Sequence, residues 1–277
     1  MKTKIEKLKI DLINWYKKNK RDFSWRNTTD PWQILLIETL SQQTQLERAN
    51  LYFEKFLIEF PTPKSMANSS LKIILKMWSG LGYNNRAKRL FEASKIIEKK
   101  GFDQIYPNFE VLPGVGPYTK NAILSFAYGE KALAIDTNVE RIIQRYFGLN
   151  DTKNFFNENS KYLLSNVGSR EINQAFMDFG SSICKSSNPT CDICPVESDC
   201  SKYFSYSKST KEKFKGSNRE IRGKIVKILI DKGRINNQKL IEEIDDDSDK
   251  VKKAIEGLKK DNLIKFKKNN IIEINSN

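Results

Sequence analysis

Apolar positions recur at helical spacing from the first turns of the chain. In "MKTKIEKLKIDLINWYKKNK" lysines interleave with Ile5, Leu8, Leu12 and Trp15, the pattern of an amphipathic helix and not of a signal peptide with a continuous apolar core. A second helical period begins near Pro31 and puts Glu38, Gln42 and Gln45 on one face, where a solvated polar stripe is the plainest account. Residues 112–129, "LPGVGPYTKNAILSFAYG", read as a turn opening a helix. Gly114 and Gly116 clear the turn of side chains, Pro117 suits a first helical position, and Ala122, Ile123, Leu124 and Phe126 supply the apolar face. "ALAIDTNVERIIQRYFG" is a buried stretch running into a helix. Thr137 and Glu140 have capping-box spacing there, which leaves Asp136 just outside the positive helix end, a place that suits an ionised carboxylate.

Towards the C-terminus, "YFSYSKSTKEKFKGSNRE" is a polar linker. "IRGKIVKILIDKG", "NNQKLIEEI" and "SDKVKKAIEGLKKDNLI" then give three amphipathic helices, and "IKFKKNNIIEI" a hairpin turning at Asn269 and Asn270. Three helices and a hairpin describe a winged helix.

Composition narrows the class. With 277 residues, 39% of them hydrophobic and 11% aromatic, the chain can bury one large or two modest cores. No apolar run approaches the roughly 18 residues of a membrane span, so a soluble cytoplasmic protein is expected. Forty-eight Lys plus Arg against 34 Asp plus Glu give a net charge of +14. Such an excess points to a polyanion, nucleic acid first, although a merely lysine-rich surface would show the same sum. Residues 217–277 hold only a modest basic excess, with Lys252, Lys253, Lys259, Lys260, Lys265, Lys267 and Lys268 on the third helix and wing. These would meet a duplex in such a module; a protein-interaction wing is the competing account.

All four cysteines lie within "CKSSNPTCDICPVESDC", and the chain has no histidine. Cys184, Cys191, Cys194 and Cys200 follow a C-x6-C-x2-C-x5-C spacing that fits one compact loop. Disulfides do not suit a reducing compartment. A four-cysteine structural zinc is open, but zinc sites usually pair two short knuckles, and here there is one with unequal arms. A [4Fe-4S] cube, whose thiolates can come from one wrapping loop, suits the spacing better.

Two carboxylates have chemistry available to them. Glu38 adjoins Ile34 and Leu35 one turn back, and a carboxyl set against apolar groups has a raised pKa and can act as a general acid near neutrality. Asp136 either begins its helix and nothing more or stays ionised beside that acid. One protonated and one ionised carboxyl are what cleavage of a glycosidic bond requires.

The cysteine spacing after "INQAFMDFGSSIC" resembles the cluster loop of the endonuclease III superfamily of DNA glycosylases. The turn at Gly114 and Gly116 is similar to that superfamily's helix-hairpin-helix, whose amides meet the DNA backbone. Over roughly residues 5 to 205 the chain resembles, more narrowly, the MutY-type adenine DNA glycosylases. "ETLSQQTQ" looks like the segment with the catalytic glutamate and wedge glutamines, which implies Glu38 as the acid for the adenine ring and Gln43 in the duplex. "GLGYNNRAKRL" is similar to the segment whose tyrosine, here Tyr83, inserts near the opposite base. "IDTNVERI" matches the segment with the catalytic aspartate, Asp136, assisted by Asn138. Trp25, Arg26 and Gln174 fall where that family lines its adenine pocket, while core packing is the plainer role for Trp25.

The resemblance implies a two-lobed, all-α helix-hairpin-helix glycosylase fold over 1–205. A structural [4Fe-4S] loop would occupy 184–200, with Lys185 and Lys202 facing phosphates. A linker at 206–216 and a small winged-helix-like domain at 217–277 would follow. Bifunctional relatives carry a Schiff-base lysine where this chain has Tyr118, and Lys120, roughly 200° further round the helix, points elsewhere. A monofunctional hydrolase is therefore expected, acting as a monomer on mismatched double-stranded DNA in the nucleoid and extruding its target base. Tyr118 would position Asp136 or the extruded nucleotide.

The chain also departs from the pattern. Adenine enzymes usually have serine where Tyr118 stands, and thymine-mismatch relatives tyrosine. The Nudix-like 8-oxoguanine domain is replaced by the shorter winged-helix segment. Adenine removal opposite guanine or 8-oxoguanine thus stands beside thymine or uracil removal opposite guanine. A non-catalytic DNA-binding regulator is a third reading, disfavoured by the intact Glu38, Asp136 and Asn138.

Overall fold

The computed structural model describes residues 1–204 and 214–275. Most of the 206–216 linker therefore lies outside the described residues. The remainder is largely helical and divides into two compact units, one holding 1–38, 107–110 and 115–204, the other 39–106, 111–114 and 214–275.

In the first unit, α1 (Lys2–Asn19) packs on α10 (Ser169–Ser182) and α9 (Lys153–Leu163), and α10 packs in turn on α8 (Thr137–Phe147). The apolar face expected of the N-terminal segment is the one buried. Ile5, Leu8 and Leu12 meet Val139, Ile142 and Ile143 of α8 and Ile172, Phe176 and Phe179 of α10 in one core. Each such side chain contributes about 1.5–3 kcal/mol of burial. α2 (Pro31–Ser41) and α7 (Pro117–Tyr128) complete the elements that carry site residues.

In the second unit, α3 (Leu46–Glu59), α4 (Pro63–Ala67), α5 (Leu71–Met77) and α6 (Asn85–Ile105) enclose Phe53, Phe56, Met66, Ile74, Trp78 and Phe91, with Phe56 and Trp78 edge to face at 5.7 Å. The C-terminal residues belong to the same unit, α11 (Asn218–Lys232) packing on α5. α12 (Asn237–Glu243) and α13 (Ser248–Lys260) follow, with the hairpin β2 (Ile264–Lys267) and β3 (Ile271–Ile274). Asn269 and Asn270 both have left-handed φ, 61° and 54°, at the hairpin turn. A third strand, β1 (Arg234–Asn236), pairs with β3, and the sheet order is β1-β3-β2, all antiparallel. Three residues are too few for an alternation to show in sequence.

Two local expectations change. α2 ends at Ser41, so Gln42 and Gln45 do not continue the face of Glu38, and Gln43 takes a left-handed φ of 56°. At α8 the cap is Asp136 itself and not Thr137. Its carboxyl reaches two free helical amides, those of Asn138 and Val139.

Candidate active site

Glu38 sits in the last turn of α2, a helix whose other residues are mostly apolar and buried, and it is carried into the interior with them at 5% exposure. Burial, with no cation to offset it, pushes its carboxyl up to about 7; a hydrogen bond from Tyr118 opposes the rise and the nearby Asp136 charge adds to it. Tyr118, in the first turn of α7, is raised well above 10, first by burial and then by the charges of Glu38 and Asp136, so its hydroxyl keeps its proton and donates. Its oxygen also lies 4.0 Å from Met177 Sδ.

Asp136 accepts from the Asn138 and Val139 amides at 2.9 and 2.8 Å and from Asn138 Nδ2 at 2.6 Å. Three N–H donors and a helix N-terminus suit an anion there. Asn138 is held in turn. Its Oδ1 accepts from Arg141 at 2.6 Å, and the same guanidinium donates to the carbonyls of Gly180 and Cys184, each at 2.8 Å. A Cβ on Gly180 would stand 2.5 Å from that of Asn138, so only glycine fits. The extended stretch before Asp136 is fixed by wholly buried Asn173, whose side chain accepts from Ala134 N at 2.9 Å and donates to Ala132 O at 2.8 Å.

Trp25, Arg26 and Gln174 are all buried, Arg26 and Gln174 around Tyr16 and Asp178. Arg26 donates to Asp178 at 2.6 Å and to Tyr16 Oη at 2.9 Å, and Tyr16 donates to Gln174 Oε1 at 2.6 Å. Trp25 Nε1, Arg26 Nε and Gln174 Nε2 are buried donors without a hydrogen-bond partner among the described residues. Lys120 points away from Tyr118, pairing with Glu110 at 2.9 Å.

The turn before α7 carries the expected glycines. Gly114 needs its residue type, with φ of 85° and Arg89 carbons 3.2 Å from an added Cβ. Gly116 does not: it caps α7 with ordinary φ, and a Cβ there would meet nothing within 4 Å. In the second unit Tyr83 is 40% exposed with φ of 49°.

The four cysteines line one pocket, walled otherwise by groups such as Ile142, Phe179 and Val196. Burial pushes Cys194 up to about 11 and Cys200 upward, so both are neutral thiols unless a cation takes them. Among the described residues, no three or more Cys, Asp or Glu side chains converge closely enough for a single metal ion. From α8, Arg145 donates to the carbonyls of Lys185 and Ser186 at 2.7 and 3.1 Å and lies 3.4 Å from Cys184 Sγ. Lys202 is engaged by Glu197.

Sequence reasoning did not find Arg86, Arg141, Arg145 or Asn173. An arginine inside an otherwise apolar helical stripe, as Arg86 and Arg145 are, was the available signal. Arg86 is buried and donates to the carbonyls of Leu40, in the last turn of α2, of Gln42 just beyond it, and of Leu81 and Gly82 before Tyr83, so one guanidinium fixes both the Gln43 and Tyr83 loops.

A helical fold with a glycine turn opening a helix, a buried acid beside a helix-capping aspartate and a four-thiol loop defines a class, and the comparisons agree with it. The family of HhH-GPD superfamily base excision DNA repair proteins matches residues 37–163. An adenine DNA glycosylase of Mycobacterium tuberculosis is 30% identical over 234 residues, 79% of this chain and 77% of its own length. One from Buchnera aphidicola is 34% identical over 205 residues, covering 70% of this chain, and the human one 32% over 209. The match spans 57% of the Buchnera protein's length and 38% of the human one's. A solved thermostable thymine-DNA glycosylase superposes with a TM-score of 0.67 at 30% identity, covering 73% of this chain and 97% of that one. An endonuclease III from a DNA complex gives 0.62 at 23%, a likeness of fold. The chain belongs to the HhH-GPD superfamily of base excision DNA repair proteins and, within it, to the family of the adenine DNA glycosylases.

Proposed function

We propose that the protein is a monofunctional DNA glycosylase that extrudes adenine mispaired with guanine or 8-oxoguanine and hydrolyses its glycosidic bond. The carrying observation is the pair of unlike carboxyls: Glu38, buried and pushed up to about 7, and Asp136, met by three N–H donors. Glu38 delivers a proton to the departing ring, and Asp136, aligned by Asn138, stabilises positive charge developing on the sugar until water completes the displacement. The unspent donors of Trp25, Arg26 and Gln174 suit a purine, whose ring nitrogens accept. No amine stands at Tyr118, and Lys120 is spent on Glu110.

Gly116 supports backbone binding. Neither φ nor packing calls for glycine there, and a phosphate approaching the free amides of α7 does. The thiol loop fits a [4Fe-4S] cluster: the donor set is all sulfur and surrounds an apolar pocket, where one zinc would draw its ligands to about 2.3 Å. When bound, the cluster supplies a structural cross-link, and Arg141 and Arg145 tie its loop to α8. The C-terminal module is a winged helix that adds cationic surface.

On a panel of defined mismatches, adenine should be released opposite guanine or 8-oxoguanine, with an alkali-labile, initially uncut product and no borohydride-trapped adduct. Glu38→Gln should lower the single-turnover rate on the order of 100- to 10,000-fold while DNA binding persists. Tyr118 and the likeness to a thymine-DNA glycosylase structure favour a second reading, removal of thymine or uracil opposite guanine. Release of those bases with adenine untouched would replace the first reading.

A further inference from the structure

The sheet of the C-terminal module has one side on α11 and α13, where Ile235, Ile264, Ile272 and Ile274 are buried. Alternation along the strands turns Arg234, Lys265, Lys267 and Glu273 to the other side. The register sets Arg234 of β1, Glu273 of β3 and Lys265 of β2 in one row across the three strands, about 10 Å from end to end. Lys265 and Lys267 share the acid, each with Nζ 3.5 Å from the same Glu273 oxygen. Arg234 is exposed, and among the described residues no carboxylate pairs with it. Three cations therefore stand around one acid, and exposed Lys268 continues the charge at the hairpin turn. The amide on this face, Asn236, is engaged at both ends, its Oδ1 accepting from Gln238 N at 2.9 Å and its Nδ2 donating to Asn269 O at 3.2 Å.

In a winged helix the third helix is the element that enters a groove, and here its N-terminal end is acidic. Glu242, Glu243, Asp245, Asp246, Asp247 and Asp249 fall within eight residues. Lys232 holds Glu243 at 2.6 Å and Lys252 holds Asp249 at 3.2 Å; among the described residues the other four have no cation partner. A groove walled by phosphates repels such an end. Further along α13, Lys259 lies over the Phe266 ring, 5.1 Å from its centroid.

We infer that the C-terminal module grips the phosphate backbone of duplex DNA with the outer face of its sheet, through Arg234, Lys265 and Lys267, and keeps the α12–α13 turn off the DNA. The strand positions of that face hold no aromatic side chain on which an unpaired base could stack, so it suits a duplex and not a single strand. With its one amide engaged, the face positions the backbone and reads no sequence. The wing thus takes the place that the third helix has in a groove-reading module. The inference rests on the reading of the protein as one that acts on duplex DNA, and not on which base is cut.

The test is equilibrium binding of the whole chain to an undamaged duplex across a salt series. Arg234→Gln, Lys265→Gln and Lys267→Gln combined should weaken binding and flatten the slope of log affinity against log salt by about two to three, close to one per phosphate contact. Glu273→Gln, which leaves the three cations without their shared acid, should tighten binding severalfold at low salt, an effect that no loss of fold can imitate. Asp245→Asn with Asp246→Asn should change affinity by less than about twofold, as charges held away from the duplex do. An unchanged slope in the triple variant, or no tightening by Glu273→Gln, overturns the assignment. So does a marked gain in affinity from the two aspartate changes, which would put the start of α13 on the DNA. Because the duplex carries no lesion, failure of the excision reading would leave this result standing.

Discussion

At the scale of single residues, Glu38 couples chemistry to stability. In the proposed role of proton donor it works only while protonated, so the single-turnover rate should be level below about pH 7 and fall about tenfold per unit above it. The same shift has a thermodynamic sign. The folded carboxyl titrates near 7 and the unfolded one near 4.5, so between those values the native state holds the extra proton and stability falls as pH rises, levelling off above about 7. Glu38→Gln removes that dependence. At pH 8 it should melt higher than the native protein, by up to roughly 3 kcal/mol of stability, and at pH 5 by little. Thermal melting at the two pH values checks it, and equal shifts at both would show that packing and not charge decides.

At the scale of elements, short side-chain-to-backbone links decide where the chemistry stands. The path Cys184 carbonyl, Arg141, Asn138, Asp136 joins the thiol loop to the aspartate in three hydrogen bonds, and Gly180 gives Asn138 its room. Gly180→Ala should therefore displace Asn138 and cut the excision rate by about tenfold or more, as misplacing a positioning group does. Duplex affinity, set elsewhere, should change by less than about threefold; comparable losses in both would mean that the fold had given way. Much of this was legible in the chain. The apolar periods of α1, α7 and α8, the cysteine spacing and the "IDTN" and "SQQTQ" segments found the elements and the two carboxyls. The polar stripe suggested by Glu38, Gln42 and Gln45 was misleading because α2 stops at Ser41, a boundary that no proline or glycine marks. Thr137 looked like the cap because capping boxes are read from spacing, whereas the side chain one residue earlier wins by reaching two amides. The arginine clamps stayed hidden, since a buried guanidinium on backbone carbonyls is visible only when the loops it binds come together in space.

At the scale of the molecule, the charge of +14 and the local recognition groups act on different quantities. Phosphate contacts release counterions, so overall duplex affinity should fall steeply with salt; six or more contacts would cost roughly 1,000-fold between 50 and 200 mM. Glu38→Gln should give the same slope, because a side chain buried at position 38 offers no charge to the phosphates. Recognition of the opposite base is a difference between two complexes with the same phosphates, and the counterion contribution cancels in that difference. The ratio of affinities for abasic duplexes opposite guanine and opposite cytosine should therefore stay within about twofold across that salt range, while each affinity alone collapses. A ratio that decays with salt as fast as the affinities would place discrimination in the backbone contacts and not in contacts to the base.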